Sequence, residues 1–264
     1  MHSDSKPDSP SIAARCALAL MARAPIAGEV KTRLTPPLSP EEAAMLSTCF
    51  LRDMTTNVVG MNVDGTEGVV LYTPANAESF LQDFLPESFK LVAQRGETLG
   101  ERLINATAEL LNNGFASVCL INSDSPTLPA GILTTAASLL ARNGDRVVLG
   151  PSQDGGYYLI GLKHPHHELF ERIAWSTADV LAHTIQRAAE IDLRVDLLPM
   201  WYDVDDAISL SWLCGEVLAG RRPTDCARDG YAAPDTSAYL RTLVASGGGE
   251  RLGVDRTLTE RMPQ

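Results

Sequence analysis

The segment "APIAGEVKTRL" (24–34) combines Gly28, Lys31 and Arg33 directly after an apolar stretch. A glycine allows a close backbone turn, and a lysine and an arginine can both reach a diphosphate. The Walker pattern fails because Val30 precedes the lysine, and the dinucleotide fingerprint fails because only one glycine is present. A solvated basic loop is the alternative interpretation. We predict that phosphate or nucleotide is bound by Ala24, Pro25, Gly28, Lys31 and Arg33.

A second segment, "NSDSP" (122–126), follows the apolar stretch "SVCLI" and places Asp124 where a strand should end. A carboxylate at the end of a buried strand is costly unless it meets a cation or solvent. Mg²⁺ and Mn²⁺ are commonly held by one or two carboxylates together with phosphate oxygens and water. We therefore predict a metal-binding and catalytic role for Asp124. The alternative is an Asx-turn in which this carboxylate bonds to backbone ahead of Pro126.

A third segment, "WYDVDDAISL" (201–210), carries Asp203, Asp205 and Asp206 before an amphipathic helix. Asp205 has the position of an N-cap, and Asp206 suits the positive end of the helix dipole. The functional interpretation instead makes Asp203 or Asp205 a second metal carboxylate. The residues alone leave both interpretations open.

Between these segments lies "GPSQDGGYYLIGL" (150–162). Gly155 and Gly156 suit a hairpin turn, and they also leave space for a ligand to approach the backbone. A reacting hydroxyl needs a general base within hydrogen-bond reach, and Asp154 has the right chemistry. We predict that substrate is contacted by Asp154, Gly155 and Gly156, with Asp154 as a catalytic residue.

Two other sets of metal-ligating residue types are not predicted to bind metal. The five cysteines are scattered and odd in number, which argues against a zinc site or a disulfide framework and favours a reducing cytoplasm. The histidines His164, His166 and His167 lie in a polar connector. We predict a solvated surface for all three.

Charge and hydropathy exclude some classes of function. The 264 residues carry a formal net charge of −11, whereas nucleic-acid binding normally needs a basic face. A phosphorylated small molecule remains a suitable ligand if a few cations converge or a metal ion supplies positive charge. No apolar run approaches the roughly 20 residues of a membrane-spanning helix. We therefore predict no nucleic-acid partner and no membrane span, and we leave the oligomeric state open.

The elements that must position these segments alternate between strand and helix. Short, mostly apolar runs predict strands near 16–22, 68–73, 90–94, 117–121, 146–150, 157–162 and 194–198. Capping boxes at Ser39 and Thr98 open two of the intervening amphipathic helices. Such alternation predicts an α/β fold with a mostly parallel sheet, helices on both faces, and a ligand site at the carboxyl ends of the strands.

Composition divides the chain into three parts. Residues 1–14 are rich in Ser, Asp and Pro and predict a disordered lead-in. Residues 15–219 contain the alternating elements and predict the catalytic domain. Residues 220–264 predict a linker, a short helix and a flexible tail.

Four segments resemble, in chain order, the motifs of the DUF2064 family. They are "MARAPIAGEVKTRL", "NSDSPTLP", "VVLGPSQDGGYYLIGL" and "WYDVDD". This family is associated with arsenosugar biosynthesis and belongs to the GT-A nucleotide-diphospho-sugar transferase superfamily. The resemblance spans roughly residues 16–218. It implies a GT-A-like (Rossmann-like) fold, a nucleotide-sugar donor and a divalent metal on Asp124. Thr127 stands where the family often has an acidic residue, which shifts the second metal ligand to Asp203 or Asp205.

The resemblance implies a Mg²⁺- or Mn²⁺-dependent glycosyltransferase that uses a nucleotide sugar and a small-molecule acceptor. One alternative is a nucleotidyltransferase that joins an NTP to a phosphorylated small molecule, although such enzymes usually have a glycine-rich first loop. A second alternative is a non-catalytic nucleotide-binding protein. Pyrophosphate release, nucleoside-diphosphate release or binding without turnover would distinguish the three.

Overall fold

The structure is a computed structural model that describes residues 15–61, 63–221 and 229–253. The predicted lead-in (1–14) lies outside these residues, as do 222–228 of the predicted linker and 254–264 of the predicted tail. Among the helices that the structure describes, none has both the length and the apolar character needed to cross a membrane.

The described residues form one seven-stranded sheet in the order β3-β2-β1-β4-β6-β5-β7. Only β6 runs antiparallel to its neighbours among these strands, so the sheet is mostly parallel, as predicted. The strands are β1 (Cys16–Arg23), β2 (Thr66–Thr73), β3 (Lys90–Ala93), β4 (Ser117–Asn122), β5 (Val147–Pro151), β6 (Tyr157–Leu162) and β7 (Val195–Leu197).

Seven α-helices lie in the described residues, most of them between strands. They are α1 (Pro40–Gly60), α2 (Glu78–Gln82), α3 (Leu99–Asn112), α4 (Ala130–Leu140), α5 (Val180–Glu190), α6 (Ala207–Ala219) and α7 (Pro234–Leu243). Both predicted capping boxes are present: Ser39 caps α1 with Glu42, and Thr98 caps α3 with Glu101. The side chains and backbone amides at these two helix starts therefore satisfy each other.

Side chains alternate across the sheet, as expected for strands buried on both faces. Leu18 and Leu20 of β1 join one apolar core, which α1, α4, α6 and α7 cover. Ala17 and Ala19 point to the opposite face and join a second core, which α3 and α5 cover. The predicted helices therefore lie on both faces of the sheet.

Strand pairing decides which loops meet. β1 lies between β2 and β4, parallel to both, so the loop after β1 and the loop after β4 leave the sheet at the same edge. β5 and β6 form the predicted antiparallel pair around "PSQDGG". Their connection also lies at the carboxyl edge of β4, because β6 runs antiparallel to β4. The topology thus gathers the predicted site loops at one edge.

The helix α7 packs against α1 and contributes Leu240 and Leu243 to the first core. The fully buried Asp53 of α1 accepts hydrogen bonds from the backbone N–H groups of Asp235 (3.0 Å) and Thr236 (2.8 Å). A carboxylate at the start of α7 satisfies amides that have no partner within the helix. These bonds attach the C-terminal helix to the domain.

Candidate functional site

The loop after β1 is anchored so that Lys31 turns inward. Gly28 has φ +79°, and an added Cβ there would meet no atom within 4 Å, so this position needs glycine for its backbone conformation. Val30 and Leu34 are buried on either side of Lys31. Ala24 and Pro25 are buried as well, and the Ala24 N–H continues the pairing with β2 by bonding to Thr73 O at 2.8 Å. These two residues therefore position the loop.

Lys31 uses all three ammonium protons inside the site. Its Nζ lies 2.8 Å from Asp124 Oδ1, 2.9 Å from Asp205 Oδ1 and 2.7 Å from the carbonyl oxygen of Val204. The side chain is only 6% exposed. Burial by itself would lower the pKa of Lys31, but the two carboxylates outweigh it and raise the pKa above its ordinary value. Lys31 is therefore a fixed, charged bridge between two segments distant in sequence.

Asp124 stands directly after β4, and its own backbone is tied to the third segment. The Val204 N–H donates to Asp124 O at 2.9 Å, and Ser123 Oγ lies 3.3 Å from the Asp124 carboxylate. The carboxylate faces Lys31. The structure thus brings the first, second and third segments together at one point.

The third segment differs from the sequence prediction in its cap. Asp206, not Asp205, is the N-cap of α6: its carboxylate accepts from Ser209 N at 2.8 Å in a capping box. The serine at the third helical position fixes this register. Asp205 is consequently free to bind Lys31 and Arg33, the latter at 2.9 Å.

Asp203 is the most perturbed carboxyl group of the site. Burial raises its pKa to about 6, and the nearby charges of Asp154, Asp205 and Asp124 add to the increase, while a hydrogen bond from Ser152 Oγ opposes it. That bond measures 2.7 Å. Four carboxylates are therefore close enough to repel one another at this edge of the sheet.

The "QDGG" turn places Asp154 on the same edge. Asp154 Oδ1 accepts from Gly156 N at 2.9 Å, which closes an Asx-turn, and Asp154 lines a cavity. Gly155 has φ +88°, and a Cβ there would lie 2.1 Å from the Ala178 carbonyl oxygen. Position 155 therefore requires glycine, both for its backbone conformation and for its close packing against Ala178. Gly156, by contrast, lines a cavity.

Two cavities meet at this cluster. The first, of about 470 Å³, is lined by Lys31, Asp124 and Asp205 together with residues that follow β2 and β3. The second, also about 470 Å³, is lined by Asp154, Gly156 and Asp203 together with the loop before α5. Arg33, Leu99 and Asp205 belong to both walls, so the two cavities form adjoining halves of one cleft.

The residues present fit a hard divalent cation. Carboxylate oxygens are the ligands that Mg²⁺ and Mn²⁺ prefer, and an ammonium group already lies between Asp124 and Asp205. Four carboxylates (Asp124, Asp154, Asp203 and Asp205) face the two cations Lys31 and Arg33, which leaves two negative charges unbalanced within this set. A divalent cation has the charge that would balance them.

Some residues of the cleft are absent from the sequence predictions. Arg23, Gln94 and Arg102 line the first cavity, and Trp175 lines the second. Gln94 is held by bonds from its Nε2 to Leu71 O (2.6 Å) and Ala22 O (3.2 Å). Arg23 follows one predicted strand and Gln94 ends another. Because ligands of α/β proteins bind at the carboxyl ends of parallel strands, both residues could have been predicted from the sequence. Arg102 lies inside the first turn of α3, where no local signal separates it from an ordinary helix residue.

The fold is that of an α/β protein with a cleft at the carboxyl edge of its parallel strands. The family model described as "Uncharacterized protein conserved in bacteria (DUF2064)" matches residues 58–177, which confirms the predicted resemblance. The matched range contains Asp124 and Asp154, while Lys31, Asp203 and Asp205 lie outside it. No curated protein matches the sequence.

Among solved structures, the chain is similar to a "putative nucleotide-diphospho-sugar transferase" from Desulfovibrio desulfuricans G20. The two sequences are 29% identical, the similarity covers 87% of this chain and 95% of that one, and the TM-score is 0.74. This similarity confirms the GT-A-like α/β fold predicted from the sequence.

Two more distant structures match with TM-scores below 0.5. One is a cytidylyltransferase from Leptospira borgpetersenii serovar Hardjo-bovis (strain JB197), at 11% identity and TM-score 0.49, covering 95% of this chain and 98% of that one. The other is glucosyl-3-phosphoglycerate synthase from Mycobacterium tuberculosis in complex with Mn²⁺ and UDP, at 13% identity and TM-score 0.45, covering 93% and 82%. Similarity this distant carries no argument about the activity of this chain.

Proposed function

We propose that this protein is a metal-dependent glycosyltransferase that uses a nucleotide-diphosphate sugar as donor and the hydroxyl group of a small molecule as acceptor. The observation that carries the proposal is the convergence of Lys31, Asp124 and Asp205 where two cavities adjoin. A reaction between two substrates at a diphosphate needs this arrangement of one charged centre between two binding spaces.

The first cavity has the chemistry for the donor. Lys31, Arg33, Arg23 and Arg102 all line its wall. Guanidinium and ammonium groups bind phosphate oxygens through charge-assisted hydrogen bonds. We assign Gly28, Lys31 and Arg33 to the diphosphate, with Ala24 and Pro25 supporting the loop, and the remaining wall to the nucleoside.

We assign the metal ion to Asp124 and to Asp203 or Asp205, and we propose Mg²⁺ or Mn²⁺ as its identity. When bound, such an ion neutralises charge that develops on a diphosphate leaving group. Asp124 and Asp205 would exchange their bond to the Lys31 ammonium for the metal. Lys31 would then be available to the diphosphate.

The second cavity has the chemistry for the sugar and the acceptor. Asp154 and Gly156 lie on its wall, and Trp175 offers an apolar surface. We assign the proton of the attacking hydroxyl to Asp154, whose Oδ1 is oriented by the Gly156 N–H. Gly155 allows this turn to pack against Ala178, where a side chain would not fit.

We retain the cytoplasm as the proposed location, since the four cysteines that the structure describes are free and buried.

The test is a panel of nucleotide sugars and NTPs incubated with the full chain and Mn²⁺, with products separated by chromatography. Release of a nucleoside diphosphate from one nucleotide sugar, increased by a hydroxyl acceptor, is the expected result. Release of pyrophosphate from an NTP would overturn the proposal in favour of a nucleotidyltransferase. Nucleotide binding without any turnover would overturn it in favour of a binding protein.

A variant pair tests the metal assignment separately. Asp124→Asn should lower the Mn²⁺-dependent affinity for nucleoside diphosphate at least tenfold, as measured by calorimetry, because it removes a charged ligand. Asp83→Asn changes an exposed carboxylate that follows α2 and serves as the matched control. Equal affinities for the two variants would contradict the assignment of the metal to Asp124.

A further inference from the structure

A second cluster of metal-ligating side chains lies at the opposite edge of the sheet. Val147 at the start of β5 and Val118 at the start of β4 both pair with Leu162 at the end of β6. The loop before β5 and the loop after β6 therefore meet at the amino edge of β4. The six-residue strand β4, about 20 Å long at about 3.3 Å per residue, separates this edge from Asp124.

These two loops bring Asp145, His164 and His166 together. His166 Nε2 lies 2.8 Å from Asp145 Oδ2, and His164 Nδ1 lies 3.1 Å from the same oxygen. Each of the three residues offers one ligand atom, and these three atoms lie within 4.8 Å of one another. Among the described residues, this is the one group of three or more His, Cys, Asp or Glu side chains that meets this distance limit. The side chains of His166, Asp145 and His164 are 21%, 33% and 64% exposed, so the cluster lies at the surface with His166 its most sheltered member.

The cluster is held in place by its surroundings. Asp145 Oδ1 accepts from the N–H of Arg146 at 2.9 Å, which directs Oδ2 toward the histidines. The ammonium group of Lys163 donates to the carbonyl oxygens of Arg142 (2.8 Å) and Gly144 (3.0 Å), which fixes the loop before β5. Because Asp145 is oriented by backbone, little rearrangement is needed before it binds a cation.

Neighbouring positive charge is engaged elsewhere. The guanidinium of Arg146 bonds to Asp196 Oδ2 at 2.9 Å and to Asn143 O at 2.7 Å. The ammonium of Lys163 is bonded to the two carbonyl oxygens named above. Neither group therefore competes for Asp145 Oδ2, which faces only the two imidazole rings among these neighbours.

We propose that Asp145, His164 and His166 form a binding site for a divalent transition metal of the zinc class. Two imidazole nitrogens and one carboxylate oxygen are ligands typical of Zn²⁺, and tetrahedral coordination at about 2.0–2.1 Å requires ligand atoms roughly 3.4 Å apart. Small side-chain movements bring the three atoms to that spacing. Each histidine binds through the nitrogen that now faces Asp145, with its proton on the other ring nitrogen.

This site is distinct from the carboxylate cluster in ligand chemistry as well as in position. The mixed nitrogen and oxygen ligands favour zinc-class ions, whereas Asp124 and its neighbours offer oxygen alone, which favours Mg²⁺ or Mn²⁺. A metal at Asp145, His164 and His166 joins the loop before β5 to the loop after β6. Because the folded state alone holds the three ligands together, the ion stabilises the fold.

The test uses the full chain in a Cys226→Ser background, which removes the cysteine that lies outside the described residues. Zn²⁺ binding to the metal-free protein is measured by calorimetry and by thermal unfolding, and Co²⁺ reports coordination geometry through its visible absorption. We expect one Zn²⁺ per chain, a higher melting temperature with Zn²⁺, and an intense tetrahedral Co²⁺ band. Asp145→Asn and His166→Ala should each weaken binding at least tenfold, since loss of even an outer-shell partner costs about 10–100-fold.

Two control variants test whether Zn²⁺ binds at these three residues and nowhere else in the chain. His167→Ala changes an exposed neighbouring histidine and should leave the Zn²⁺ affinity within twofold of the parent. Asp124→Asn removes the carboxylate assigned to the other metal ion and should also leave it unchanged. The proposal is overturned if Zn²⁺ does not bind, if His166→Ala binds as tightly as the parent, or if Asp124→Asn removes the binding.

Discussion

Replacing Lys31 with methionine tests the reasoning about the cleft most directly. Methionine has a similar volume but donates no hydrogen bond, so Asp124, Asp205 and the Val204 carbonyl all lose their shared partner. The two carboxylate oxygens each lie within 2.9 Å of Nζ, and they are therefore at most twice that distance apart. At an effective dielectric constant of about 20, two charges at that separation repel by about 3 kcal/mol.

Solvent reduces this cost, because the carboxylates of Asp124 and Asp205 are 31% and 34% exposed. We expect Lys31→Met to lower the free energy of unfolding by about 2 kcal/mol, below the about 3–5 kcal/mol typical of breaking a fully buried pair. Urea unfolding followed by tryptophan fluorescence measures this difference. The matched control is Arg33→Met, which removes the same charge from a side chain that is 72% exposed and should cost less than about 1 kcal/mol.

Mn²⁺ binding gives the same variant a second measurement. If the ammonium group occupies the position of a metal ion, its removal should tighten Mn²⁺ binding and weaken nucleoside-diphosphate binding. A Lys31→Met variant that is as stable as Arg33→Met would refute the view that this lysine holds the carboxylates together. Weaker Mn²⁺ binding in Lys31→Met than in the parent would refute the view that the two cations compete for one place.

Three further variants test interactions that stabilise the fold around the cleft. The Arg251 guanidinium holds the pKa of Glu42 below its ordinary value of 4.5. The ion pair between them therefore stabilises the fold above that pH and loses its effect as the pH falls. Arg251→Ala should weaken the dependence of the free energy of unfolding on pH in this acidic range. Asp53→Ala should cost about 1–2 kcal/mol and speed amide hydrogen exchange in α7, and unchanged exchange would contradict its capping role. Gly155→Ala should cost about 3 kcal/mol in urea unfolding, from the contact with Ala178 and the positive φ, while Gly144→Ala, which has a positive φ without that contact, should cost less.

Local sequence patterns are sufficient to predict the elements of this fold. The apolar run "CALALMA" predicts β1, and the boxes at Ser39 and Thr98 predict the starts of α1 and α3, because each pattern satisfies backbone groups within a few residues. The order of strands cannot be predicted in the same way. β4 pairs with β6 instead of β5, and that choice depends on packing between distant segments.

The site can be predicted only in part for the same reason. Asp124 directly follows a strand, and ligand sites of α/β proteins lie at the carboxyl ends of parallel strands, so Asp124 can be proposed without knowledge of its partners. Its bond to Lys31, and the bond from Lys31 to Asp205 across 174 residues, depend on tertiary structure. The sequence alone leaves Asp205 open as the cap of α6 or as a metal ligand; the structure shows that the cap is Asp206, because Ser209 completes a capping box with it. The predicted solvated surface fits His164 and His167, which are both exposed, but it does not anticipate that His164 and His166 share Asp145.

For the proposed function, the charge of the cleft predicts the order in which metal and nucleotide bind. A nucleotide diphosphate would bring negative charge to a protein of net charge −11, into a site where burial and neighbouring carboxylates already raise the pKa of Asp203 to about 6. Lys31 cannot offset this charge alone, because Asp124 and Asp205 already neutralise it. If the proposed function is right, a divalent cation would therefore enter before the diphosphate or together with it. Asp124 and Asp205 would then bind the metal, and Lys31 would be released to the phosphates. Metal and nucleotide binding should accordingly be strongly cooperative, and each should raise the affinity for the other by the same factor.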